Sequence, residues 1–245
     1  MILCNIWRTH GKHITKNKNK MRTKALLGLA ALAVGLSTSV AQNVYSLNVV
    51  GYVNVSLQAN KLHFLSVPLA PVDGNYCITN TVVLSDAQDF ANLYKWDTTQ
   101  WASAATWFGA DLGGTGWDTP YVISNGVAFF IASAANSTLT FVGQVPQGTA
   151  IPYNIPVGLS TLANKVPVTT NFPGATVGND FDNMFTWSQA GQQWNSATTY
   201  FGTGLGGNGW DADPSGNGPV LAPTEGVFYV NGAAAISFTQ NFTVQ

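Results

Sequence analysis

The feature that most restricts the fold is a stretch that the chain uses twice. Residues 101–118 read W-A-S-A-A-T-W-F-G-A-D-L-G-G-T-G-W-D and residues 194–211 read W-N-S-A-T-T-Y-F-G-T-G-L-G-G-N-G-W-D; twelve of the eighteen positions are identical at a gapless offset of 93. Self-similarity at a fixed spacing means one structural unit built twice. Composition narrows the unit further, because Gly, Asn, Thr, Ser and aromatics abound while only Lys61, Lys95, Lys165 and Glu225 represent Lys, Arg and Glu beyond residue 24. Exposed helices draw on the straight-chain residues missing here, whereas strands and turns favour what is present. The expectation is an all-β protein of two tandem homologous antiparallel β units, sandwich- or barrel-like, with pseudo-twofold packing and at most one short helix.

Within each unit, Leu93-Tyr94-Lys95-Trp96 and Met184-Phe185-Thr186-Trp187 are each followed by a polar turn and then by Trp101 or Trp194. Two aromatic strands around a short polar connection predict a β-hairpin. Strict alternation then places Trp101, Ser103, Ala105 and Trp107 on one face, which reads as core. The apolar runs at 126–131 and 137–142, matched at 226–230 and 235–239, predict a closing hairpin in each copy. Ser85 could cap a short helix over 85–93, and Pro146 and Pro152 bracket an expected semi-rigid linker. The resulting boundaries are a signal region at 1–41, an N-terminal strand at 42–55, a first β repeat at 56–148 and a second at 149–245.

The amino terminus carries an address. Seven of the ten basic residues fall within the first 24 positions, an uncharged and largely apolar run covers 25–40, and Ser39-Val40-Ala41 supplies small residues at a cleavage position. That order is a secretory signal peptide, too short and too interrupted by Gly28, Gly35 and Ser37 to span a membrane. Met21-Arg22-Thr23-Lys24 would be an ordinary leader start, so Met21 is read as the true first residue. After cleavage three lysines face eleven acids, a net charge of −8. Such a chain repels polyanions, which argues against nucleic acid. With Cys4 removed, Cys77 cannot form an internal disulfide and is expected to be a buried small hydrophobe.

Residues 44–55, V-Y-S-L-N-V-V-G-Y-V-N-V, alternate as a strand with Gly51 as a bend, and a paired Trp/Gly-rich unit follows. Together they resemble a large group of secreted two-repeat proteins of Verrucomicrobia-type bacteria, largely of unassigned function. The resemblance covers the whole chain after the leader, and the opening segment is its most specific part. It implies export to the medium or the outer cell surface and transfers no catalytic residue. Members of that group often carry a C-terminal sorting segment with an apolar helix and basic tail, and the residues leading to Val244 and Gln245 show no such pattern.

Catalytic chemistry is poorly provided for. His63 is the single histidine after the leader, no Gly-x-Ser-x-Gly elbow exists, and one His with one Cys cannot close a zinc site. Gly113-Gly114-Thr115-Gly116 lacks the strand–loop–helix setting of a phosphate loop. The segment 211–218 places Asp211, Asp213 and Ser215 before Gly216, like the front half of a calcium loop, but Ala222 stands where a bidentate Glu belongs. No metal and no cofactor is therefore expected. Of the aromatics, Trp117 and Trp210, each followed by an aspartate in a Gly-rich loop, are the residues expected to be exposed, and Trp117, Asp118, Trp210 and Asp211 form the candidate ligand-binding set. The preferred function is a non-catalytic extracellular or cell-envelope protein acting by assembly or adhesion, its partner a second copy. A glycan-binding β module with a surface glycan as partner ranks second. A glycoside hydrolase-like enzyme, resting on Asp carboxylates alone, ranks last.

Overall fold

In each repeat the strands fold into a six-stranded antiparallel sheet and a separate two-stranded ribbon. The computed structural model describes residues 49–244; the signal region, the Met21 start and the strand residues before 49 lie outside them. In the first repeat, β1 (Val50–Leu57), β2 (Lys61–Ser66), β3 (Asn92–Asp97), β4 (Gln100–Trp101), β5 (Ala105–Phe108), β6 (Gly116–Trp117), β7 (Ala128–Ser133) and β8 (Ser137–Gln144) follow one another. One sheet has the order β2-β7-β3-β5-β6 with β4 paired to β3, and β1 pairs with β8 as a separate ribbon.

The second repeat reproduces this plan. Its strands are β9 (Gly148–Ile155), β10 (Gly158–Ala163), β11 (Thr170–Asn171), β12 (Asn183–Ser188), β13 (Gln193–Trp194), β14 (Thr198–Phe201), β15 (Gly209–Trp210), β16 (Val220–Leu221), β17 (Gly226–Asn231) and β18 (Ile236–Phe242). The sheet runs β10-β17-β12-β14-β15 with β13 on β12, and β9 pairs with β18. The added pair β11 and β16 corresponds in the first repeat to the single bridge between Cys77 and Val122. All pairings are antiparallel, neither sheet closes into a barrel, and the only α-helix among the described residues is α1 (Ile78–Thr81). Among these residues no helix is long and apolar enough to cross a membrane.

Several local expectations are corrected. The runs at 126–131 and 137–142 are not a hairpin: β7 lies between β2 and β3, and the chain then crosses to the ribbon, where β8 pairs with β1. Alternation serves both sheets equally, so sequence proximity alone does not reveal the crossing. A buried amide holds the crossing turn, since Gln88 Nε2 donates to the Ala135 carbonyl and Ser137 Oγ while its Oε1 accepts from Ser133 Oγ and the Ala134 amide. Asn179 does the same in the second copy, donating to Asn231 Oδ1 and the Ala234 carbonyl. The segment expected to be a linker is mostly β9, the counterpart of β1, with Pro152 opposite Thr239. Ser85 caps nothing, and only a 3₁₀ turn forms at Asp86–Gln88. Cys77 is half-buried rather than buried.

Each sheet is apolar on both faces, and this decides the architecture. Toward its own ribbon the first sheet presents Leu65, Leu93, Ala105, Trp107, Phe129 and Ile131, which pack with Leu57, Leu139 and Phe141. The opposite face carries Phe64, Ala128 and Phe130 with Leu62, Tyr94 and Trp101, and it meets Trp187 and Trp194 of the second repeat. A sheet buried on both sides needs a second layer over its outer face, and that layer is the other repeat. Trp101 and Trp107 thus lie on opposite faces. The break at 102–104, where the Ala102 amide donates to the Lys95 carbonyl, interrupts the alternation between them.

The seam between the repeats obeys the pseudo-twofold. Trp96 stands edge-on to Phe228 with ring centroids 5.0 Å apart, and its counterpart Trp187 stands edge-on to Phe130 at 4.9 Å. Trp96 Nε1 donates to the Leu159 carbonyl at 3.1 Å, and Trp187 Nε1 donates to the Leu62 carbonyl at 3.3 Å. The backbone crosses likewise, from Ser66 N–H to the Thr224 carbonyl at 2.9 Å and from Ala163 N–H to the Gly126 carbonyl at 3.0 Å. Edge-to-face pairs with satisfied indole N–H groups are the favoured geometry for buried aromatics, so the seam is core in character.

Candidate functional site

The tryptophans chosen for exposure are buried. Trp117 is 7% exposed and Trp210 is 0% exposed. Trp117 Nε1 donates to the Val82 carbonyl at 2.6 Å, and Trp210 Nε1 donates to the Val177 carbonyl at 3.1 Å. Their rings stand edge-on to Trp107 and Tyr200 at 5.4 and 5.3 Å. The cause is the glycine just before each: Gly116 at φ +119° and Gly209 at φ +133° turn the chain back toward the core, a conformation that side chains oppose. Asp118 and Asp211 are tied down as well. The carboxylate of each accepts an amide hydrogen bond at 2.8 Å, from Thr106 and Thr199 respectively, which locks the end of the turn.

The segment 211–218 is similarly self-contained. Asp213 Oδ1 accepts from the Ser215 amide at 2.9 Å, and the Gly216 amide donates to the Asp213 carbonyl at 2.8 Å. The hydrogen bonds from Ser215 hold the Asp213 carboxyl below its ordinary pKa. Among the described residues no three His, Cys, Asp or Glu side chains gather at one place. His63 is buried and its Nε2 accepts from the Gln58 amide at 2.9 Å; burial pushes its pKa below 6.5.

What the duplicated motif leaves in solvent is a different set. Phe90 is 61% exposed and Phe181 is 63% exposed, and both have a left-handed backbone at φ +67°. A bulky side chain in that region is a genuine outlier, and such strain persists only where surrounding structure enforces it. The enforcement is duplicated too. Asn92 Nδ2 donates to the Phe90 carbonyl at 3.0 Å while its Oδ1 accepts from Thr106 Oγ1 at 3.0 Å. Asn183 binds the Phe181 carbonyl and Thr199 Oγ1, each at 2.8 Å. Asp89 and Asp180 then accept the Gly109 and Gly202 amides at 2.5 and 2.6 Å.

Each exposed ring meets one other ring edge-on, Phe90 with Phe108 at 5.8 Å and Phe181 with Phe201 at 5.9 Å. Leu112 and Leu205, each more than half exposed, stand on the 3₁₀ turns Ala110–Leu112 and Thr203–Leu205 that follow. Both repeats thus carry the same apolar set, or ledge, an edge-on phenylalanine pair followed shortly along the chain by an exposed leucine: Phe90, Phe108 and Leu112; Phe181, Phe201 and Leu205. The signal was present outside the gapless match, in Asp89-Phe90-Ala91-Asn92 and Asp180-Phe181-Asp182-Asn183. An apolar residue flanked twice by the same polar neighbours is not a core pattern.

A second feature lies along the seam. A cleft of about 400 Å³ opens between β2 and the second repeat, with His63, Trp187, Gln189, Asn195, Thr224 and Glu225 among its walls. Gln189 Nε2 is buried there without a hydrogen-bond partner, and Glu225 Oε2 accepts the Ala222 amide at 2.9 Å. Comparison with protein-family models, curated proteins and solved structures returned no match.

Proposed function

We propose that the protein is an exported, non-catalytic component of the extracellular or cell-envelope layer that assembles with copies of itself through its two apolar ledges. Export rests on the basic, apolar and small-residue order of residues 1–41. Assembly rests on one observation, the twice-built exposure of a left-handed phenylalanine beside Phe108 or Phe201. A strained backbone that leaves a ring mostly in water contributes little to the fold for what it costs, and two copies of it make the chain bivalent. A ledge that meets a ledge of the next molecule leaves each molecule with one ledge free, so growth continues along an open chain.

The contact is weak by its size. Of the six large apolar side chains that would meet, four are more than half exposed and two are partly covered, and together they would contribute on the order of 6 kcal/mol, against an association cost of roughly 4–15 kcal/mol. Assembly therefore belongs to crowded conditions, such as a cell surface. The net charge of −8 opposes it, and salt screens that repulsion. Sedimentation velocity at rising protein concentration and two salt levels tests the proposal. Species larger than dimers should grow with concentration and with salt. Phe90→Asn alone should stop growth at dimers, and Phe90→Asn with Phe181→Asn should leave monomers. A wild-type chain whose weight-average mass at about 1 mM does not exceed that of the double variant sinks it, because even a contact of about −2 kcal/mol, a Kd of tens of millimolar, pairs a few per cent of the molecules there.

A further inference from the structure

We propose that the cleft along the seam is a binding site for a neutral saccharide ring. The argument comes from how the pseudo-twofold is broken. The walls of the cleft have counterparts on the other side of the seam, and there two long side chains enter the corresponding space. Tyr153 takes the place of Val55, and its one hydroxyl hydrogen lies between the Gly126 carbonyl, at 2.8 Å, and the Ala163 carbonyl. Lys165 lies over Gly126, with its Cγ 2.7 Å from where a Cβ would sit, and its Nζ donates to the Pro152 carbonyl at 2.7 Å. In the open copy Val55 is too short to reach across, and Thr224 stands in the position of Gly126.

The polar groups have diverged in the same sense. His63, Gln189, Asn195 and Glu225 line the open cleft, and by strand register their counterparts are Ser160, Thr98, Ala102 and Val127. On one side of the duplicated seam Tyr153 and Lys165 cover Gly126, and on the other the cleft is open and furnished with donors and acceptors. A gap left over from imperfect packing would be apolar and small; this one holds a buried amide nitrogen, Gln189 Nε2, whose hydrogens meet no acceptor among the described residues.

The chemistry of the walls selects the ligand. Amides and a threonine hydroxyl donate and accept, the half-buried Trp187 indole supplies an apolar wall, and Glu225 is the one formal charge with no lysine or arginine beside it. That set repels anions and matches a polyol with an apolar ring face. The volume lies at the small end of ligand pockets, suited to one or two sugar rings.

Saturation-transfer NMR on the full chain, with methyl glycosides of neutral hexoses and of N-acetylhexosamines as probes, tests the site, with glucuronic acid and glucosamine as charged controls. At least one neutral glycoside should receive saturation. Val55→Tyr, which installs the residue of the closed side, should weaken it at least tenfold. Should that variant misfold, Asn195→Ala with Glu225→Gln, both at exposed positions, should do the same while the melting curve stays in place. Absence of transfer to every neutral glycoside overturns the proposal. So does binding that survives these variants, or tighter binding of either charged control.

Discussion

Replacing Phe90 and Phe181 by Asn separates a residue kept for the surface from one kept for the fold. A left-handed backbone costs a side chain with Cβ about 1–2 kcal/mol, and Asn tolerates it far better than Phe. Each replacement therefore recovers about 1 kcal/mol. Against this stands what the ring contributes. About two fifths of Phe90 is covered, which at the usual scale for a large apolar side chain is roughly 1 kcal/mol. Its edge-on contact with Phe108 at 5.8 Å adds about 0.5–1.5 kcal/mol. The net change is a loss of about 1 kcal/mol per site, and the two sites, in separate repeats, should add. Thermal and urea melts should place the double variant about 2 kcal/mol below the wild type, a shift of roughly 4–8 °C for a domain of this size. A buried ring behaves differently: removing Phe129, which is 0% exposed, should cost about 3–5 kcal/mol. If Phe90→Asn alone costs more than about 3 kcal/mol, the ring is structural and the argument that its strain serves exposure fails.

Two further expectations concern the scaffold and its pH response. Trp210→Ala should destabilise by about 3–5 kcal/mol in urea titration, because the ring is fully buried between Tyr200 and Tyr229; near-neutral stability would mean the tip is free after all. His63 has its folded pKa lowered below 6.5 by burial, so the unfolded chain binds the proton first as pH falls. Its contribution is complete above pH 6.5 and is lost as pH drops through that value toward the folded pKa. His63→Gln should flatten the stability curve between about pH 7 and 5, and an unchanged slope would count against this assignment.

The duplication, the β class and the turns joining Trp96 to Trp101 and Trp187 to Trp194 were legible because they are local or periodic. Trp117 and Trp210 were misjudged because a glycine-rich stretch reads as an exposed tip, and only the φ of Gly116 and Gly209 shows the chain turning inward. Trp101 and Trp107 obey alternation on paper, but three residues without strand pairing reset it. The left-handed state of Phe90 leaves no mark in a single sequence beyond its repeated neighbours. The cleft is written nowhere locally, since Val55, His63, Gln189 and Glu225 meet only after the repeats have packed.

The crosswise bonds of Trp96 and Trp187 have a consequence for ancestry. They have the form of the contact between two identical subunits, in which each gives its partner what it receives. A single repeat standing alone would expose the face of Phe64, Phe130 and Trp101 and would need a twin to cover it. Joining the twins in one chain makes that encounter intramolecular and independent of concentration. It also releases the halves from having to remain the same, which a true homodimer never can: a substitution such as Tyr153 for Val55 alters one side only.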